Sequence, residues 1–343
     1  MTKALITGVS GLVLTSDERA FLKDVQPAGF ILFARNCAGA DQIRALVEDV
    51  RVAAGGGAML VLIDQEGGRV QRLKPPIARL LPPAAAYATL YASDPALARQ
   101  AAFAAARHVA AELTGLGINT NCAPVLDVPV AGAHQIIGDR AYGMTPDQIV
   151  DLAREVAAGH MAGGVVPVIK HIPGHGRAAA DSHFDLPVVT ATHDELTASD
   201  YATFKALAHL PAAMTAHVVF TAIDAAHPAS TSEIVTRQII RGVMGFDGLL
   251  MSDDLSMKAL TGPMRARAES VIRAGSDLAL HCNGDLTEMQ DAAAGVPELS
   301  GKALARFESA YARTEIRKPF DAADAERLIT MAEVAHATTA ESV

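Results

Sequence analysis

A single-domain (β/α)8 barrel is the fold that the sequence predicts, on three observations. Eight short apolar runs alternate with amphipathic segments almost from end to end, the signature of βα units in a parallel sheet. Several runs are apolar at consecutive positions, as strands covered on both faces must be. Five of them end abruptly in charged or hydrogen-bonding residues, as expected where a barrel collects its chemistry at the C-terminal ends of its strands.

The strand candidates are ALITGVSG (4–11), GFILFAR (29–35), AMLVLIDQEG (58–67) and INTNCAPVLDV (118–128). They continue with VVPVIKHI (165–172), AAMTAHVVF (212–220), GLLMSDDL (248–255) and LALHCNG (278–284). The first also reads as an N-terminal hairpin. Between them, Ile43, Leu46, Val47 and Val50 follow the spacing of one buried helix face within 41–53. Thr145 and Pro146 supply N-cap and first-turn residues for a helix lined by Ile149, Leu152 and Val156 and ended by Gly163-Gly164. Thr192 and Glu195 form a capping-box pair for a helix through about residue 209. A doubly wound sheet fits the same alternation, but no GxGxxG follows a strand. No linker, repeat or low-complexity tract divides the chain, so residues 1–343 are expected as one catalytic domain. Its core is about 20–300, and 300–343 is a helical segment packed on the barrel.

The bulk numbers narrow the partners. The 343 residues are half hydrophobic and a fifth charged, with a formal charge of −9 and no basic run. Nucleic acid and anionic membrane surfaces are therefore not expected as partners. Cys37, Cys122 and Cys282 lie far apart, as free thiols in a reducing compartment do. The N-terminus lacks the pattern of a secretory signal, and no apolar stretch is long enough to span a bilayer. A cytoplasmic protein is expected.

Polar residues collect at strand ends: Asp64 through Arg69 with Arg72 behind, Lys170-His171, His217, Asp253-Asp254, and His281 with Asn283. One such end means little, because helices need caps; five on one face point to a site. The stretch KHIPGHGRAAADSHFDLP (170–187) is the densest. His171 and His175 are four apart, but Pro173, Gly174 and Gly176 exclude the helix that would make them metal ligands, and there is no HExxH. A metal held by His171, His183 and His217 is the competing reading; no metal is expected. In an extended loop Asp181 and His183 lie on one side, where the carboxylate can fix the imidazole tautomer and raise its basicity.

Together, K-H-x-P-G-H-G with Asp181-Ser182-His183, D-Q-E-G-G-R-V-Q-R at 64–72 and S-D-D-L-S-M at 252–257 resemble glycoside hydrolase family 3. Within it, the chain looks like the single-domain bacterial β-N-acetylhexosaminidases that recycle cell-wall muropeptides. A-P-V-L-D-V at 123–128 and I-G-D-R at 137–140 fall in the expected order, and the likeness runs from about residue 20 to 285.

The resemblance implies a retaining double displacement with Asp253 as nucleophile and His183, oriented by Asp181, as acid/base. It implies sugar contacts from Asp64, Arg72, Arg140, Lys170 and His171, no cofactor, and a small saccharide or muropeptide substrate taken by a monomer. Asp253 rather than Asp254 matches the motif, and strand alternation points the two to opposite faces. With no Trp and 4% aromatic residues, a short polar pocket for one terminal sugar is expected. The rivals are a β-glucosidase or β-xylosidase, a glycoside phosphorylase, a metal-dependent barrel hydrolase, and a sugar-binding sensor.

Overall fold

Strand β1 (Lys3–Thr7) pairs on both sides, with β2 (Pro27–Leu32) and with β8 (Leu278–His281), and so closes an all-parallel barrel. The other members are β3 (Leu60–Ile63), β4 (Thr120–Asn121), β5 (Val166–Ile172), β6 (Ala212–Thr215) and β7 (Leu249–Asp254). All eight predicted runs supply a strand, and 4–11 is a barrel strand rather than a hairpin. The computed structural model describes residues 2–178, 182 and 185–340.

Continuous burial explains the consecutive apolar runs: every residue of β2, β3 and β5 is buried. Gly29 is small because it must be. A Cβ there would lie 2.9 Å from Ile6 Cγ1 and 3.2 Å from Leu62 Cδ1, so neighbouring strands fill the space it leaves. Strand β4 is only two residues long, and side-chain amides extend its pairing. Asn119 accepts from the Val61 N–H (2.7 Å) and donates to the Met59 carbonyl (3.0 Å); Asn121 does the same with the N–H and carbonyl of Gln65 (2.9 Å each). Buried backbone groups at the barrel seam are thereby satisfied.

The helix over 41–53 spans Ala40–Ala53, with Ile43, Leu46, Val47 and Val50 buried. The next predicted one spans Pro146–Ala162; Thr145 takes the N-cap position but makes no side-chain capping bond. Thr192 and Glu195 form the capping box, yet the helix stops at Ala198 and a second runs Asp200–Ala206. At the start of the second helix, buried Asp200 is paired with Arg177 at 2.6 Å.

Helices α1 (Pro95–Gly115) and α2 (Pro146–Ala162) lie against each other closely enough that a Cβ on Gly159 would sit 2.4 Å from the Phe103 carbonyl oxygen. The C-terminal helix Ala322–Ala340 covers α1 and is tied down by Arg79, which pairs with Glu326 and Glu333. No helix among the described residues is long and apolar enough to cross a membrane.

Candidate active site

The strand ends converge on a cavity of about 270 Å³ whose wall includes Asp64, Arg72, Arg140, Lys170, His171 and Asp253. These are all the predicted site residues that the structure describes. Asp181 and His183 lie outside the described residues. Ser182, between them in sequence, is buried, lines the cavity and meets His175 Nε2 through its hydroxyl at 3.2 Å.

Asp64 directly follows β3, and the loop behind it is shaped by two buried glutamines. Gln65 accepts from the N–H groups of Arg72 and Leu73 at 3.0 Å each, and Gln71 accepts from the Leu81 N–H at 3.1 Å. This folding returns Arg72 to Asp64, with Nη2 2.9 Å from Oδ2. The Arg72 guanidinium also lies over the Phe33 ring, 5.2 Å from its centre, a cation–π contact that braces it.

From β5, Lys170 reaches between two carboxylates, 3.0 Å from Asp64 and 2.6 Å from Glu66. Arg140 then clasps Glu66 with two bonds of 2.8 and 2.9 Å. The result is a chain of alternating charge: Arg72, Asp64, Lys170, Glu66, Arg140. Burial by itself would raise the carboxyls and lower the ammonium. The mutual attraction wins. Lys170 and Arg72 hold Asp64 far below the usual carboxylate range, Arg140 and Lys170 hold Glu66 at about 2, and the two acids hold Lys170 well above the usual lysine range. The chain stays ionised across physiological pH.

His171 is fixed by Asp127, a fully buried residue of the turn after β4. The carboxylate meets His171 Nδ1 at 2.7 Å and accepts the backbone N–H groups of His171 (3.2 Å) and His175 (2.7 Å). Burial, and then the neighbouring His171 ring, lower the His175 pKa to about 4, so this ring is neutral.

Asp253 and Asp254 both line the cavity. The register of β7 slips between Met251 and Asp254, so simple strand alternation does not describe how the two side chains are presented. Hydrogen bonding separates them instead. The carboxylate of Asp254 is spent on the loop: it takes the Ser256 N–H (3.0 Å), the Ser256 hydroxyl and the Cys282 N–H (3.1 Å). Asp253 accepts its neighbour's N–H at 2.8 Å.

His217, the third member of the competing metal set, has both ring nitrogens occupied. Nδ1 meets the Ser230 hydroxyl at 2.7 Å and Nε2 the Asp254 carbonyl at 3.0 Å. Among the described residues no cluster of three or more His, Cys, Asp or Glu side chains is arranged to hold a metal ion. His281 is buried against Glu288, and Asn283 accepts the Asp285 N–H at the start of the next helix; neither lines the cavity.

Glu66 and His175, which line the cavity, and Asp127 behind it were given no catalytic or sugar-contact role from the sequence. For Glu66 a signal existed, since it stands two residues after Asp64 and so on the same face of an extended chain. For Asp127 there was none beyond its place in A-P-V-L-D-V.

Residues 7–315 match the glycosyl hydrolase family 3 N terminal domain. A β-hexosaminidase of Alkalilimnicola ehrlichii is 40% identical over 283 residues, 81% of this chain and 80% of that protein. One from Methylococcus capsulatus is 43% identical over 274 residues, 79% of this chain and 80% of that protein. Among solved structures, NagZ from Neisseria gonorrhoeae in complex with N-trifluoroacetyl-D-glucosamine is similar with a TM-score of 0.82 at 31% identity, covering 98% of this chain and 96% of that one. The strand order, the site motifs and these likenesses agree, and the chain belongs to glycoside hydrolase family 3.

Proposed function

We propose that the protein is a retaining exo-β-N-acetylglucosaminidase that releases one terminal β-linked N-acetylglucosamine from a small saccharide, with muropeptide fragments of the cell wall as its substrate class. The observation that carries this reading is the meeting of Asp253 with the five-charge chain in one small cavity. The β-hexosaminidase relatives, and a neighbour that holds an N-acylated glucosamine, support the sugar. A cavity of about 270 Å³ favours one ring over an oligosaccharide, since pockets for drug-sized ligands run to roughly 300–1,000 Å³.

In the first step a carboxylate oxygen of Asp253 attacks the anomeric carbon. The bond from that carbon to the leaving oxygen breaks, and His183, oriented by Asp181, gives that oxygen its proton. In the second step water attacks the same carbon and hands a proton to His183, and the Asp253 ester breaks. Asp64 accepts from ring hydroxyls, while Arg72, Arg140, Lys170 and His171 surround the ring. The chain of paired charges keeps the site rigid and near neutral overall, which suits an uncharged sugar. Three free cysteines support action in a reducing compartment, the cytoplasm, and the monomeric state belongs to the same reading without support from them.

The test is hydrolysis of a chromogenic N-acetyl-β-glucosaminide beside the matching β-glucoside, each with and without chelator. Preference for the N-acetyl sugar, unchanged by chelator, is expected. Preference for the glucoside overturns the substrate, and loss on chelation overturns the metal-free mechanism. His183→Ala is expected to slow poor leaving groups far more than an activated phenolate; equal loss on both removes the acid/base role.

A further inference from the structure

Asp127 is a fully buried acid behind His171 and His175 of the pocket wall, and the mechanism above gives it no part. Its two oxygens have different partners. Oδ1 accepts two backbone N–H groups, those of His171 and His175; Oδ2 meets the His171 ring at Nδ1. A carboxylate can only accept hydrogen bonds, so Nδ1 must carry a proton. In the neutral ring the lone pair is then on Nε2.

We propose that Asp127 is a positioning residue that acts on turnover through His171, holding the ring as its Nδ1–H tautomer so that Nε2 offers an acceptor to a sugar hydroxyl. This rests on the reading of the cavity as a sugar site.

The geometry makes one substitution unusually informative. In Asp127→Asn the two backbone N–H groups at Oδ1 can be satisfied only by the amide oxygen. The amide nitrogen is therefore turned toward His171 Nδ1 and must donate to it. Nδ1 becomes an acceptor, the proton moves to Nε2, and the acceptor meant for the sugar becomes a donor. The backbone contacts survive while the tautomer reverses.

Three measurements test this. In the wild-type protein without substrate, ¹⁵N spectra of the His171 ring are expected to show Nδ1–H; Nε2–H there overturns the proposal with no variant needed. Asp127→Asn is expected to keep a near wild-type melting temperature, show Nε2–H, and lose about 10–100-fold in kcat/KM. A reversed tautomer with unchanged kcat/KM overturns it. In a His171→Gln background the same substitution is expected to add no further loss, whereas additive losses mean that Asp127 acts by another route. Should Asp127→Asn fail to fold, the wild-type spectrum still decides. A wild type that turns over no sugar substrate would sink the functional reading and leave the tautomer result to stand or fall by itself.

Discussion

The Lys170 ammonium sits 2.6 Å from the Glu66 carboxylate, and both side chains are more than nine-tenths buried. Lys170 also bonds Asp64, so a single cation separates two acids that would otherwise repel each other. Removing one partner of such a buried set is costly, because the remaining charges keep their desolvation and lose their compensation.

Lys170→Met is therefore expected to lower stability by about 3–5 kcal/mol and to abolish hydrolysis, with urea denaturation and a chromogenic assay as the checks. Lys170→Arg is not expected to rescue activity, since a planar fork cannot occupy the space of a point-like ammonium between two carboxylates. A variant as stable as wild type would show that the chain of charges adds nothing to folding.

The two neighbouring aspartates separate by role. Asp253→Ala is expected to reduce turnover by more than about a thousandfold with its melting temperature preserved. Asp254→Ala removes the bonds to Ser256 and Cys282 that tie the end of β7 to that of β8, so it is expected to cost stability of about 1–3 kcal/mol while retaining measurable turnover. The reverse pattern, with Asp254→Ala dead and Asp253→Ala active, would exchange the nucleophile assignment.

Stability is expected to fall in acid through two buried rings. His160 donates from Nδ1 to the Val156 carbonyl at 3.0 Å and accepts at Nε2 from the Asn121 amide at 2.9 Å, so it is folded as a neutral ring. Burial lowers its pKa from 6.5 to about 4, and His175 is lowered to the same level. Below about pH 6.5 the unfolded chain takes up protons that the folded chain does not. Their contribution is thus complete above 6.5 and is lost as pH falls toward 4. At about 1.4 kcal/mol per pH unit the gap corresponds to about 3 kcal/mol for each ring. Urea midpoints at pH 7.0, 5.5 and 4.5 check this; a flat profile contradicts it.

Gly159→Ala places a methyl group 2.4 Å from the Phe103 carbonyl oxygen at the contact of α1 and α2. The helices must separate, at a cost of about 1–3 kcal/mol. Because neither Gly159 nor Phe103 lines the cavity, kcat is expected to be unchanged. A melting temperature equal to wild type would mean that the two helices yield without penalty.

Residues 60–63 and 165–169 are apolar at every position except Pro167, and that pattern, recurring in eight runs, by itself determined buried parallel strands but not whether their sheet is open or closed. It also placed Asp64, Lys170, His171 and Asp253 at strand ends, because polarity changes abruptly where a strand leaves the core. The pairings among these side chains are another matter. Lys170 meets Asp64 across 106 positions, and His171 meets Asp127 across 44. Such contacts exist only once the barrel has closed, and no local periodicity encodes them. Tertiary structure also decided that Asp253 and Asp254 both line one cavity, where the register of β7 slips, and that His217 is consumed by Ser230 and a backbone carbonyl. Local pattern reports which residues leave water; only packing decides which of them meet.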